Sequence, residues 1–337
     1  MAIRVGIAGV SGYTGVELLR LLQAHPGVEL VALAAGEAAG RPLGEVWPGW
    51  TGRLDLPLLP LDPAALAASC EVVFLGLPHG VSASVAPALL DAGLVVVDLG
   101  ADFRLRDPAV YAASYGAHPC PERLAQAVYA LPELNRARLA GARLLAVPGC
   151  YPTATAIAAL PLVEAGLCEL IVSDCLSGVS GAGRKAGPRN LYCEVQESST
   201  AYGLAGTHRH SSEMEQTLGL PVIFTPHLVP MVRGMIATVK ARLLRPVGIE
   251  ELRQLYRQRY ADHPAVTVLD EPPASGWVRG TAAAQVHIAL DPARGFATAV
   301  CAIDNLGKGA AGQAVHAFNL ALGLPETQGL PLFPLLP

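Results

Sequence analysis

Apolar and polar positions along this chain fall into short alternating blocks. Residues 3–8 form a brief apolar run, read as a strand, and residues 16–24 have helical spacing, with Val16, Leu18, Leu19, Leu21 and Leu22 apolar. Further strands are read at 29–34, 71–77, 94–99 and 144–147, with a helix at 82–92. Near-continuous apolar strands alternating with helices predict an α/β fold, a Rossmann-type doubly wound parallel sheet. A helix is expected over 153–162, followed by strands at 171–176, 222–225, 234–244, 282–290 and 296–303 and helices at 250–260 and 310–322. The long strands of this second half predict a mixed or antiparallel sheet in an α+β catalytic and dimerisation domain. The expected division is 1–149 with 305–337 for dinucleotide binding, the last helix returning to it. Residues 150–304 are then left for catalysis, substrate and oligomerisation.

Composition narrows the field. A length of 337 residues suits two domains, and 52% hydrophobic against 15% charged residues implies large buried surfaces and a subunit interface. A net charge of −4 leaves no basic footprint for nucleic acid. Seven cysteines, odd in number and without a CxxC pair, disfavour a disulfide framework or a zinc site and suit a reducing cytoplasm. The chain enters a strand at once, which leaves no room for a signal peptide. Charges, Gly or Pro break every apolar run short of the ~18 residues of a membrane span.

Candidate chemistry sits at the joints between elements. Gly9-Val10-Ser11-Gly12-Tyr13-Thr14-Gly15 links the first strand to the first helix. Gly9 suits the tight turn, Gly12 the approach of a pyrophosphate and Gly15 the packing of helix on strand, with helix-start N–H groups on the phosphates. Strand ends place Leu77-Pro78-His79, Gly100-Ala101-Asp102-Phe103-Arg104 and Pro148-Gly149-Cys150 along the sheet edge that such folds use for ligands. The second strand ends Ala34-Ala35-Gly36-Glu37 with Arg41 a little beyond, which does not separate NAD from NADP. Cys150 follows a Pro-Gly turn at a helix start, where N–H groups and the helix dipole favour a thiolate. A buried structural thiol is the alternative.

Ser177-Gly178-Val179-Ser180-Gly181-Ala182-Gly183-Arg184-Lys185 is a flexible loop ending in two cations, suited to an anionic substrate or a phosphate. In Thr207-His208-Arg209-His210-Ser211-Ser212-Glu213 two histidines offer a general acid/base, and Ser211 or Ser212 is expected to cap a helix with Glu213 in its first turn. The pair lacks other spaced ligands, so no metal is expected. Asp304-Asn305-Leu306-Gly307-Lys308-Gly309 opens the last helix but lacks the full phosphate-loop pattern of a nucleoside triphosphatase.

Taken in order, these landmarks resemble the N-acetyl-γ-glutamyl-phosphate reductase family of arginine biosynthesis, within the aspartate-semialdehyde dehydrogenase group, over essentially the whole chain. The resemblance implies NADPH-dependent reduction of N-acetyl-γ-glutamyl phosphate to N-acetylglutamate semialdehyde and phosphate through a cysteine thioester. It implies Cys150 as nucleophile, His210 or His208 as proton carrier, and Glu213 as a residue that orients the histidine. Implied cofactor contacts are Gly9, Ser11, Gly12, Tyr13, Thr14, Gly15, Arg41, Leu77, Pro78, Ser180, Gly181, Gly183 and Asn305. Arg104, Arg184 and Lys185 are implied for the substrate anions. A small-molecule acyl phosphate, no nucleic acid, no membrane and a homodimer or homotetramer are expected. The alternatives are the lysine-pathway homologue acting on a carrier-bound aminoadipyl phosphate, aspartate-semialdehyde dehydrogenase itself, and a non-catalytic NADP-binding redox sensor.

Overall fold

A computed structural model describes residues 2–54, 56–185 and 187–335; the outermost residues of the expected first domain, 1, 336 and 337, lie outside them. The chain forms two compact units: Met1–Pro148 with Ala310–Leu330, and Gly149–Gly309 with the chain end from Pro331.

In the first unit the strands are β1 Ile3–Ala8, β2 Val28–Ala34, β3 Leu58–Leu59, β4 Val72–Leu75, β5 Val95–Asp98, β6 Ala127–Tyr129 and β7 Leu144–Ala146. They lie in the order β3-β2-β1-β4-β5-β7-β6, every neighbour parallel. The order reverses between β1 and β4, the switch point where such sheets bind ligands. The helices are α1 Tyr13–Gln23, α2 Leu43–Val46, α3 Pro63–Ser69, α4 Val81–Asp91, α5 Pro108–Tyr115 and α6 Pro132–Leu139.

Both faces of this sheet are covered, which is why its strands read as unbroken apolar runs. Val5, Ile7, Val72 and Phe74 join Leu18, Leu22 and Phe318 in one core, while Val73, Leu75 and Val96 join Ala86 and Leu89 in the other. The sequence reading passed over α3, α5 and α6. Each is only 7 or 8 residues long and opens on a proline, which marks a turn from sequence but is compatible with a helix's first position.

The second unit holds β8 Ile171–Gly178, β9 Thr200–Ala201, β10 Val222–Val229, β11 Met235–Arg242, β12 Val266–Val268, β13 Ala284–Asp291 and β14 Phe296–Ile303. Their order is β12-β13-β14-β11-β8-β10-β9. Parallel β8–β10 and β12–β13 pairs beside antiparallel neighbours make the sheet mixed. Its helices are α7 Cys150–Glu164, α8 Tyr192–Val195, α9 His210–Leu218 and α10 Ile249–Tyr260. Along β11, Met235, Ala237, Val239 and Ala241 are buried while Ile236, Thr238, Lys240 and Arg242 are not, so one face carries the core.

α7 packs on that face and is buried from Tyr151 to Leu162. Its alanines permit close approach to the strands, and the Tyr256 and Tyr260 hydroxyls donate to the carbonyls of Ala158 and Ile157, tying α10 to it. The helix starts three residues before the expected Thr153. Pro152 falls in the first turn, where the missing N–H has no helical partner to lose. The last helix, α11 Gly312–Ala321, starts two residues later than expected because Gly307–Ala311 form a wider turn first.

Candidate active site

On the first unit the site begins with the turn after β1. Gly9 has φ +94°, and a Cβ there would lie 2.2 Å from the Gly76 carbonyl oxygen; a Cβ on Gly15 would lie 2.2 Å from the Gly9 carbonyl oxygen. Both positions therefore demand glycine. Gly12, the residue before α1, is different: a Cβ there meets only the Gly9 carbonyl oxygen, at 3.6 Å. That open side leaves a cradle in front of the first-turn N–H groups of Tyr13, Thr14 and Gly15, which fits a dinucleotide pyrophosphate.

Trp47, unnoticed in the sequence, braces this turn, its indole N–H donating to the Val10 carbonyl at 3.0 Å and its ring lying 6.2 Å from that of Tyr13. Arg41 pairs with Glu45 at 3.1 Å on an exposed surface.

Leu77 and Pro78 lie in the loop from β4 to α4. That loop is held by Asp102, a buried carboxylate that accepts the N–H groups of Gly80 and Ala83 and the Tyr111 hydroxyl at 2.7–2.9 Å. Arg104 donates to the carbonyls of Val147 at 2.8 Å and Leu99 at 2.9 Å, so it clamps the segments that leave β5 and β7. Asp98, at the end of β5, is fully buried, and desolvation pushes its carboxyl up to about 6.

On the second unit Cys150 is partly exposed at the first position of the 15-residue α7. The first turn of α9 lies against this start. Glu213, 2% exposed, accepts the Gly149 N–H at 2.9 Å, directly before the cysteine. The Tyr151 ring lies 5.7 Å from the His208 ring and 5.8 Å from the His210 ring, and the two histidine rings are 4.9 Å apart. Tyr151 and Tyr202 share a hydroxyl–hydroxyl hydrogen bond of 2.8 Å, and Phe224 stands 5.2 Å from both Tyr151 and His208. This aromatic wall comes from β10 and from the segment after β9, and no local motif announced it. Desolvation pushes the Tyr202 hydroxyl up to about 12 and raises Tyr151 too, so both are neutral hydroxyls.

Burial sets the state of His208. His208 is pushed down to about 4, first by burial and then by the Arg209 charge. Its Nδ1 accepts the His210 backbone N–H at 3.1 Å, which makes the neutral ring an Nε2–H tautomer. This bond serves the start of α9 in place of the expected serine cap. The helix begins at His210, so Ser211 lies inside its first turn, and no side chain of the preceding residue caps it.

Ser180 and Asn305 are brought together. Asn305 donates from Nδ2 to Ser180 Oγ at 2.9 Å and accepts the Gly234 N–H at Oδ1, also at 2.9 Å. Gly181, Gly183, Arg184 and Lys185 continue from Ser180 as an exposed stretch. Among the described residues no three His, Cys, Asp or Glu side chains gather as metal ligands, and no helix is long and apolar enough to cross a membrane.

Two family models match the chain, one over each half. Residues 4–142 match the family described as semialdehyde dehydrogenase, NAD binding domain, and residues 150–305 the semialdehyde dehydrogenase, dimerisation domain. The chain is 51% identical to an N-acetyl-γ-glutamyl-phosphate reductase from Halorhodospira halophila, over 97% of this chain and 98% of the relative. It is 48% identical to one from Symbiobacterium thermophilum, over 99% and 100%. Aspartate semialdehyde dehydrogenase II of Vibrio cholerae, solved with ASA, shares the fold with a TM-score of 0.73 at 17% identity, covering 95% of this chain and 98% of that one. The Candida albicans enzyme solved with NADP gives 0.71 at 18%, with the same coverage.

Proposed function

The chain belongs to the N-acetyl-γ-glutamyl-phosphate reductase family of the semialdehyde dehydrogenases, and from that membership we propose the roles of its residues in one reaction. The reaction is the reduction of N-acetyl-γ-glutamyl phosphate by NADPH to N-acetylglutamate semialdehyde and phosphate, a step of arginine biosynthesis. The observation that carries the assignment is Cys150 at the first position of α7, with the His210–Glu213 turn against the same helix end.

Gly9, Gly12 and Gly15 with the N–H groups of Tyr13 and Thr14 hold the pyrophosphate. Ser11 and Arg41 serve the adenosine end. Leu77, Pro78, Ser180, Gly181, Gly183 and Asn305 serve the nicotinamide end. When bound, NADPH supplies the hydride.

Helix-start N–H groups and the dipole of α7 stabilise the Cys150 thiolate. The sulfur attacks the acyl carbon; the C–S bond forms, the acyl C–O bond breaks, and phosphate leaves. His210 takes the thiol proton as the thiolate forms. It gives that proton to the acyl oxygen once the thioester carbon has been reduced. His210 then recovers the proton as the C–S bond breaks and the aldehyde leaves. His208, neutral and held in its aromatic wall, positions His210 through the backbone bond. Glu213 fixes the Gly149 peptide and so the cysteine's helix start. Arg104, Arg184 and Lys185 meet the phosphate and carboxylate charges of the substrate.

The protein works as a homodimer or homotetramer. The face of the second sheet away from α7 supports this, because Leu176 and Ile223 stand there 40% and 54% exposed. Seven free thiols suit a cytoplasmic setting.

Turnover of the acyl phosphate, followed by NADPH oxidation, tests the reading. Cys150→Ser is expected to lose at least about a thousandfold in kcat while NADPH still binds. A Cys150→Ser enzyme that keeps a few per cent of turnover would sink the thioester route.

A further inference from the structure

The Asp304–Gly309 segment does more than contribute Asn305. Asp304 is fully buried and collects bonds from three directions. Its Oδ1 accepts the Leu306 N–H at 2.9 Å and the Gly307 N–H at 2.8 Å, and its Oδ2 accepts the Gly280 N–H at 2.6 Å. Arg233 adds a two-pronged ion pair, Nε to Oδ2 at 2.9 Å and Nη2 to Oδ1 at 3.0 Å. The Asp304 carbonyl then accepts the Gly309 N–H at 2.9 Å, which closes the wide turn over Gly307–Ala311.

The turn so fixed lies directly against the nucleophile. A Cβ on Gly309 would stand 2.7 Å from Cys150 Cβ and 3.3 Å from Cys150 Cα. A Cβ on Gly307 would stand 1.9 Å from the Thr281 carbonyl oxygen, so the turn cannot retreat on that side. Carbon atoms in contact prefer about 3.5–4.0 Å. Neither Cβ can rotate away, since each is one bond from its backbone. An added methyl at Gly309 must therefore drive the turn and the start of α7 apart by about 1 Å.

We propose that the Arg233–Asp304 ion pair and the glycine turn it anchors are the positioning device for Cys150, setting where the sulfur stands at the head of α7. Gly309, Asp304 and Arg233 are positioning residues, acting through the backbone rather than on the substrate. The inference rests on the reading of Cys150 as nucleophile.

The test uses the full-length protein. Cys150 is alkylated with iodoacetamide across a pH series, with the modified residue located by peptide mass spectrometry so that exposed Cys193 is counted separately. In Gly309→Ala the pH midpoint of Cys150 alkylation is expected to shift. kcat is expected to fall about 10- to 100-fold, the effect of misplacing a reacting group by about 1 Å, with KM and NADPH affinity within about twofold. An unchanged midpoint with kcat within about twofold overturns the proposal, as does a rise in KM alone. Should Gly309→Ala fail to fold, Arg233→Ala gives the same readout from a partly exposed side chain, and Arg233→Lys is expected to restore part of it. Arg233→Ala with the unaltered midpoint and kcat likewise overturns it. Failure of the nucleophile reading shows elsewhere, as turnover surviving Cys150→Ser.

Discussion

Single side chains here are defined by burial as much as by type. Asp98 accepts the Gly100 N–H yet sits fully buried, and desolvation raises its carboxyl to about 6 from 3.8. Between those two values the folded chain holds a proton that the unfolded chain has released, so this group's contribution falls as pH rises through the window and stays lost above it. About two units correspond to about 3 kcal/mol. Asp98→Asn keeps the acceptor and removes the charge. Urea unfolding should show the variant gaining on the parent by up to that amount between pH 4 and pH 8, and equal differences at both would contradict the assignment.

The histidine pair gives a second prediction. His208, held down to about 4 by burial, is neutral throughout the working range. His210→Ala is expected to remove the histidine limb from the pH profile of kcat, whereas His208→Ala lowers kcat and leaves that limb at the same pH. A limb that vanished with His208 would reverse the two roles. The cysteine and the histidine pair could be read from sequence because each is a local pattern. Phe224, which packs on the His208 ring, comes from β10 and could not be.

Among elements, the joint between α7 and α9 matters most for the site. The Gly149 N–H to Glu213 bond ties it, with both residues buried. Glu213→Ala leaves that N–H without its acceptor, which costs about 1–3 kcal/mol. It also frees the helix start that carries the nucleophile, so kcat is expected to drop about 10- to 100-fold. Glu213→Gln retains an acceptor oxygen and should recover most of the stability in urea titrations; an alanine variant as stable as the parent would argue against the joint.

Most long elements were legible because their apolar spacing is strong. β1 and β14 lie where the pattern put them, at Ile3–Ala8 and Phe296–Ile303. Boundaries went astray where helix ends depart from the standard cap. His208 Nδ1 serves the start of α9, Pro152 is absorbed into the first turn of α7, and the Asp304 carbonyl widens the turn before α11.

At the scale of the whole molecule, the second sheet has one face sealed by α7 and α10 and another that leaves aliphatic side chains to solvent. Apolar exposure of this kind marks a protein interface. Ile223→Asp places a charge on that face and is expected to lower the mass measured by light scattering to that of smaller assemblies, with each unit still folded by circular dichroism. A variant that keeps the parent's mass would place the interface elsewhere.

The amino-acid sequence by itself determined what is local and periodic: the parallel sheet with its glycine turn, the cysteine at a helix start, the basic loop and the paired histidines. Tertiary structure decided which of these residues are held by one another. It turned Arg104 onto backbone carbonyls, linked Asn305 to Ser180, set the Glu213 carboxylate on the Gly149 peptide, desolvated His208, and laid Gly309 against Cys150. The physical reason is range. Propensity and hydrophobic period act over a few residues, whereas desolvation and close approach depend on segments far apart in the chain that only folding brings into contact.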